Sequence, residues 1–574
     1  MSIDLTQKSQ ELKDFVSQFE TTMFLGDISS LMQFIRFDSP TNSLKGLSSP
    51  QRQLLYLAGL NVTSEIPAAG LKAKYSDEDL DHMKVLLNGI ENGYTEFFYP
   101  RPADVVDEDW KMRRMIAMPT FLGYFNHGLL NYEEQIIERV QEYFTPFNEE
   151  IKNHFKLEVQ DFINIYNYID KLPNEFLNQK INKKEGQQTW EEFCDEMKEK
   201  DLMPMEWQEH LPQHLQDLFD WMYDKGKMYR YSKQQLVDNF GIDKAEAFLN
   251  TFTSKREKTG FLYYTESNII HSRPIFKVSD DEFQLVEAHQ LIQAVYNALF
   301  EFCTQATFRE KFYAVRGKKL EIKIENVFQR FFKGKAFIYK SFFTQDGHEQ
   351  DLLFLIDGMA LIVEAKASKR DEPRREPDKA YPLIQSNFEE TIQKGYDQAY
   401  RVKSKFISKE ALNIYSDEKL KKHVIDIRTK NYHSAFSIIV TLERFGQIQT
   451  DLSSLLEIYD DDEFPWSVCI DDLEIFLLQL EKLGKNKSQL MAFLNLREKL
   501  HGKLITADEL EVCGAFINEK ITTKELNSDA TVFALTPDLT DIFDQTYQTK
   551  GLGFENEKNL KIKTSGKYLP IGGI

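Results

Sequence analysis

Between residues 338 and 367, IYKSFFTQDGHEQDLLFLIDGMALIVEAKA, apolar positions gather into three strand-length runs separated by polar turns. The second and third runs, 351–356 and 359–367, are joined by Asp357-Gly358. An Asp-Gly pair between apolar runs predicts a type I′ hairpin, because both central residues of that turn need φ > 0. With that turn, cross-strand partners carry numbers summing to 715, and Asp351 falls opposite Glu364. Facing Cβ atoms on paired strands lie ~5 Å apart. Alternation along the strand then puts Lys366 on the same face as Glu364.

Before this stretch the dominant period is helical. Leu12, Phe15, Val16 and Phe19 recur at helix spacing, as do Leu31, Phe34 and Ile35. Ser48-Ser49-Pro50 predicts one helix start and Ser76-Asp77-Glu78 another. Helical patterns continue over 134–143, 149–157 and 161–172, so residues 1–235 are expected to form a mostly helical domain. Aromatic residues such as Phe98, Trp110, Tyr143 and Phe144 fit its core. Residues 181–200 are strongly charged and predict a loop followed by a solvated helix. Residues 236–315 predict a connector: a helical pair over 237–252, an alternating strand pair across 261–286 turning at Ser279-Asp280-Asp281, and a helix over 287–303. Leu320, Ile324, Val327, Phe328 and Phe331 make the buried stripe of a helix over 317–332. A further helix is expected over 388–406 and a strand over 436–442. Residues 446–574 predict an α+β C-terminal domain, with helices at 471–483 and 488–501 and a strand in KIKTSGKYLPIGGI.

At 574 residues several domains are expected, and 42% hydrophobic content supplies their cores. No apolar run nears the ~18 residues of a membrane span, and the N-terminus lacks a signal-peptide pattern. Cys194, Cys303, Cys469 and Cys513 show no Cys-x-x-Cys spacing, which argues against structural zinc and for a reducing, cytoplasmic setting. The net charge of −20 is uneven: residues 311–410 hold 20 Lys/Arg and 15 Asp/Glu, a balance of +5. A locally basic module in an acidic chain suits a phosphate-backbone ligand at one face.

Two carboxylates facing each other on a ladder repel, unless a cation sits between them. Hard divalent cations such as Mg²⁺ take oxygen ligands, commonly one or two carboxylates with water and substrate phosphate. A nearby ammonium orients a water or offsets phosphate charge. The pattern Asp351-x₁₂-Glu364-x-Lys366 on one hairpin therefore describes a metal-assisted hydrolase site. Other candidates are weaker. His210 and His214 stand four apart, but Pro212 interrupts the helix that would align them, and His127 and His154 have no ligand spacing. Asp460-Asp461-Asp462-Glu463 lacks the Gly and distal Glu of a calcium loop. No Gly-x₄-Gly-Lys-Ser/Thr phosphate loop occurs.

Gly-His-Glu-Gln-Asp351 followed by Val-Glu364-Ala-Lys366-Ala resembles the core of the PD-(D/E)xK nuclease superfamily over roughly residues 316–445. The resemblance implies an α/β multidomain chain whose central domain, 316–445, is a restriction-endonuclease-like core with a mixed sheet. It implies a metal-dependent nuclease using Mg²⁺ or Mn²⁺, with Asp351, Glu364 and the carbonyl of Ala365 as metal ligands and Lys366 as the catalytic ammonium. A Glu of the preceding helix, Glu325 or its rival Glu321, would border the site, and Gln398 would orient a water or carboxylate. Gln393 and Gln398 are followed four residues on by Asp397 and Val402, not by the Tyr of several exonuclease relatives. DNA is the substrate implied; no basic run alternating with aromatics supports RNA. Arg374 and Arg375 in the following polar loop are candidate phosphate contacts. The long helical region suits an antiviral defence effector with a protein partner or oligomer. The alternative is a catalytically silent nuclease-fold sensor or nucleic-acid-binding protein acting with a partner.

Overall fold

The computed structural model describes residues 4–36, 44–102, 104–126, 131–181, 184, 186–368, 376–521, 526 and 532–557. The chain folds as two compact units, Met1–Tyr99 with Phe125–Arg309, and Pro100–Tyr124 with Glu310–Ile574. No helix among the described residues is long and apolar enough to cross a membrane.

The first unit is mainly helical. Pro50 opens the helix Pro50–Val62 directly after Ser49. Ser76 caps Asp77–Thr95 through a reciprocal bond pair with Asp79, satisfying amide groups that a helix start leaves bare. Leu12, Val16, Phe19, Leu54, Leu57, Met83 and Ile90 are buried. Its small sheet has the strand order Arg230–Ser232, Glu282–Leu285, Ile275–Lys277, Thr253–Ser254. The expected strand pair across 261–286 is therefore confined to its second half. The alternation over 261–264 instead tucks Phe261 and Tyr264 against Tyr56, with ring centroids 5.8 and 5.0 Å away. The charged segment 181–200 does yield a helix, Trp190–Glu199, but its Phe193 and Met197 form a small core with Leu215.

The second unit is built on one mixed sheet of seven strands. In chain order its elements are α1 (Arg309–Phe331), β1 (Phe337–Phe343), β2 (Glu349–Ile356), β3 (Met359–Lys366), α2 (Pro377–Phe388), α3 (Lys394–Ile407), β4 (Leu412–Tyr415), β5 (His423–Ile427), β6 (Ser434–Thr441), β7 (Trp466–Cys469) and α4 (Ile470–Lys482). The strand order is β7-β6-β3-β2-β1-β4-β5. β1, β2 and β3 form an antiparallel meander, while β6 runs parallel to both β3 and β7. Asp357 and Gly358 have φ of 41° and 82°, the left-handed pair that a type I′ turn requires. β2 and β3 pair in the 715 register from Ile356↔Met359 to Leu352↔Val363.

The separate C-terminal domain expected from 446 onward is corrected by β7. Trp466–Cys469 pairs with β6 and completes the central sheet, so ladder bonds cross the expected boundary and the tail shares the core's unit. The segment Pro100–Tyr124, within the expected N-terminal domain, also belongs here: Arg114 grips Asp378 of α2 through two bonds of 3.2 and 3.4 Å. The strand expected at 561–574 lies outside the described residues.

Candidate active site

The two faces of the hairpin are used differently. Phe354 of β2 meets Phe328 of α1 at 4.9 Å, so α1 covers the face of the even-numbered β2 positions. Asp351, Glu364 and Lys366 lie on the other face, under α3. Ile439 of β6 is the register partner of Glu364 and points the same way.

The site opens where the sheet divides. The β2–β3 ladder stops at Leu352↔Val363, one pair short of Asp351 and Glu364. β3 continues with β6 through Thr441↔Lys366. On its other side Asp351 is also unpaired, because Ser341 of β1, which would face it, has φ of 44° and leaves the ladder. Asp351 thus sits in a strand yet belongs to neither ladder. Its Oδ2 instead accepts the Ala365 N–H at 2.8 Å, which locks its carboxylate against β3.

Glu364 is 1% exposed, and neither of its carboxylate oxygens has a hydrogen-bond partner. Burial, then the Asp351 carboxylate, raises its pKa well above the usual range, against the opposing pull of Lys366. The Lys366 Nζ stands 3.6 Å from Glu364 Oε2 and donates to Gln398 Oε1 on α3. Asp351, Glu364, Ala365, Lys366 and Gln398 are therefore brought together.

A residue that sequence reasoning passed over makes this possible. Gly395 lets α3 approach the sheet: a Cβ there would lie 2.8 Å from Ile439 Cγ2 and 3.1 Å from Lys366 Cε. The signal was available, since a glycine inside a helical pattern costs ~1 kcal/mol relative to Ala and asks for a packing reason.

Glu325 is not brought in. It lies on the α1 side, bonded to Lys340 at 3.0 Å and accepting from Gln329. Side-chain alternation explains this, because Lys340 is the register partner of Leu352, on the face away from Asp351. Glu321 stands nearer: Ser341 Oγ reaches it at 3.3 Å, and it acts with Asp351 on Glu349, whose pKa is raised chiefly by burial. Arg374 and Arg375 lie outside the described residues. His210 ends the turn Pro204–His210 while His214 belongs to Gln213–Tyr223, so no single helix aligns them. The acidic loop is occupied by α3: Lys403 pairs with Asp462 at 2.5 Å, and Tyr400 donates to Asp461.

A divalent cation is tested by the donors themselves. Among the described residues no group of three or more His, Cys, Asp and Glu is disposed to hold a metal. Two carboxylates are the usual protein share for a Mg²⁺ that also binds water and phosphate. A buried carboxylate with both oxygens unpartnered is costly unless a cation or proton satisfies it. The Asp351–Glu364 pair fits such a cation on that ground.

No protein-family model, curated protein or solved structure matches the chain.

Proposed function

We propose that the second unit is a metal-dependent nuclease that hydrolyses DNA phosphodiester bonds with Mg²⁺ or Mn²⁺, in the manner of the PD-(D/E)xK superfamily its hairpin resembles. The observation that carries the reading is Glu364, buried beside Asp351 with two unpartnered oxygens and an ammonium 3.6 Å away. A bound divalent ion would lower the pKa of a water and polarise the scissile phosphate. Asp351, Glu364 and the carbonyl of Ala365 would hold it. Glu364 must shed the proton that its raised pKa favours before it can serve as a ligand. Lys366, steadied by Gln398, sets a positive charge where phosphate negativity grows in the transition state. Gly395 keeps the helix close enough for that contact.

The test is cleavage of circular and linear duplex DNA in Mn²⁺ by the full chain and by Asp351→Ala, Glu364→Ala and Lys366→Ala. Removing one preorganised charge from such a site costs about 10²–10³ in rate. Each folded variant should lose at least that much. Undiminished cleavage by any one of them removes that residue from the mechanism, and an inert wild-type chain removes the nuclease.

A further inference from the structure

We infer that the outer flank of α3 is a phosphate track, in which Lys394 and Arg401 hold the backbone phosphates on either side of the pair presented to Lys366. The inference rests on the nuclease reading and specifies how that site takes its substrate.

Three flanks of α3 are distinguishable by what they touch. Gly395, Ala399, Val402 and Phe406 are buried on the sheet side. Tyr396, Tyr400 and Lys403 turn to the acidic loop and to Glu498, bonding Asp462, Asp461 and Glu498. Lys394, Gln398, Arg401 and Lys405, spaced by four, three and four residues, form the remaining stripe. Gln398 fixes where that stripe faces, because its side chain accepts from the site's own Lys366.

The cations on the stripe differ in a telling way. Lys405 is neutralised by Glu410 at 2.6 Å. Lys394 is exposed and Arg401 half-buried, and among the described residues no carboxylate or hydrogen-bond acceptor engages either side chain. Of the carboxylates one helical turn away, Asp397 takes the amide of Gln393 at 3.1 Å, and the exposed Glu390 makes no ion pair with Lys394. The two cations nearest the Gln398–Lys366 contact are thus the uncompensated ones.

Their spacing matches a nucleic-acid strand. At ~1.5 Å rise per residue, Lys394 and Arg401 lie ~6 Å and ~4.5 Å along the helix axis on opposite sides of Gln398. One strand of a duplex presents a phosphate every ~3.4 Å of axis, so the ~10 Å between the two cations spans about three intervals, or about four successive phosphates. Holding the outer two would lay the inner pair along the Gln398–Lys366 contact. Such contacts read no sequence; they set register and orientation. The ligand class is therefore the phosphodiester backbone of duplex DNA.

The test is equilibrium binding of a labelled 30-base-pair DNA duplex to the full chain in EDTA, over 50–200 mM salt. The variants are Lys394→Gln with Arg401→Gln, and a charge-matched control, Lys84→Gln with Lys277→Gln. Each phosphate contact contributes about 0.9 to the slope of log K against log salt. The track variant should lose about two from that slope, and the control should keep it. An unchanged slope in the track variant, or an equal loss in the control, overturns the track. Binding needs no catalysis, so the two readings fail separately. Wild-type cleavage with an unaltered slope sinks only the track; a lost slope without any cleavage sinks only the nuclease.

Discussion

Replacing Glu364 by glutamine should stabilise the metal-free protein while abolishing its response to Mn²⁺. The change keeps the shape of the side chain and removes the charge that Asp351 opposes. Leaving a buried charged group unsatisfied costs about 3 kcal/mol or more. The Lys366 ammonium, 3.6 Å away, returns part of that, about 1 kcal/mol, the net worth of a typical polar contact once desolvation is counted. A net gain of about 2 kcal/mol remains, which in a unit of this size raises Tm by about 4 °C. The pH dependence carries the sign. A carboxyl whose folded-state pKa is raised contributes stability that is complete below its unfolded pKa of 4.5 and is lost as pH rises through the folded value. The Gln variant has nothing to lose, so its Tm advantage should vanish near pH 4.5 and be largest at pH 8. Mn²⁺ at about 100 times its Kd would add about 2.7 kcal/mol to the wild-type chain and nothing to the variant. Differential scanning calorimetry at the two pH values, with and without Mn²⁺, reads all of this. A variant that melts lower than wild type at pH 8, or an advantage that grows toward acid, would refute the reasoning.

Two further predictions concern neighbouring features. Gly395→Ala gains about 1 kcal/mol of helix propensity but forces a methyl to within 2.8 Å of the fully buried Ile439, an overpacking worth about 1–3 kcal/mol. Displacing Lys366 by even ~1 Å should lower cleavage about 100-fold, and an Ala variant with higher Tm and full activity would contradict this. His501 accepts the Leu452 N–H at its Nδ1, and burial lowers its pKa to about 4 from 6.5. Its contribution to stability is full above pH 6.5 and drains away as pH falls to about 4, by about 1.4 kcal/mol per pH unit. His501→Asn should flatten the Tm profile across that window; an unaltered slope would place the acid sensitivity elsewhere. Asp451, lowered to about 2 against the effect of burial by the Gly502 and Ser453 N–H groups it accepts from, titrates in a separate window below pH 3.8.

The hairpin was the most legible part of the chain because its determinants are local. Asp357-Gly358 fixes the turn, the turn fixes the register, and the register puts Asp351, Glu364 and Lys366 on one face. The helix starts at Pro50 and Asp77 were equally readable, the first from its N1 proline and the second from the Ser76 cap. Glu325 was misplaced because helical spacing says which side of α1 it occupies but not which face of the sheet α1 covers. The C-terminal segment was misread as a separate domain for a related reason. Trp466–Cys469 is only four residues long, and nothing in those residues names the strand they will join.

From residue order alone came the three chemical groups and their common face, since a strand's period of two needs no partner to be read. Tertiary structure decided what surrounds them. It ended the β2–β3 ladder one pair early, stripped Glu364 of hydrogen-bond donors, and brought Gly395 and Gln398 over Lys366 from about 30 residues away. Desolvation and approach distance are properties of packing, and packing between segments distant in the chain leaves no short-range pattern to read.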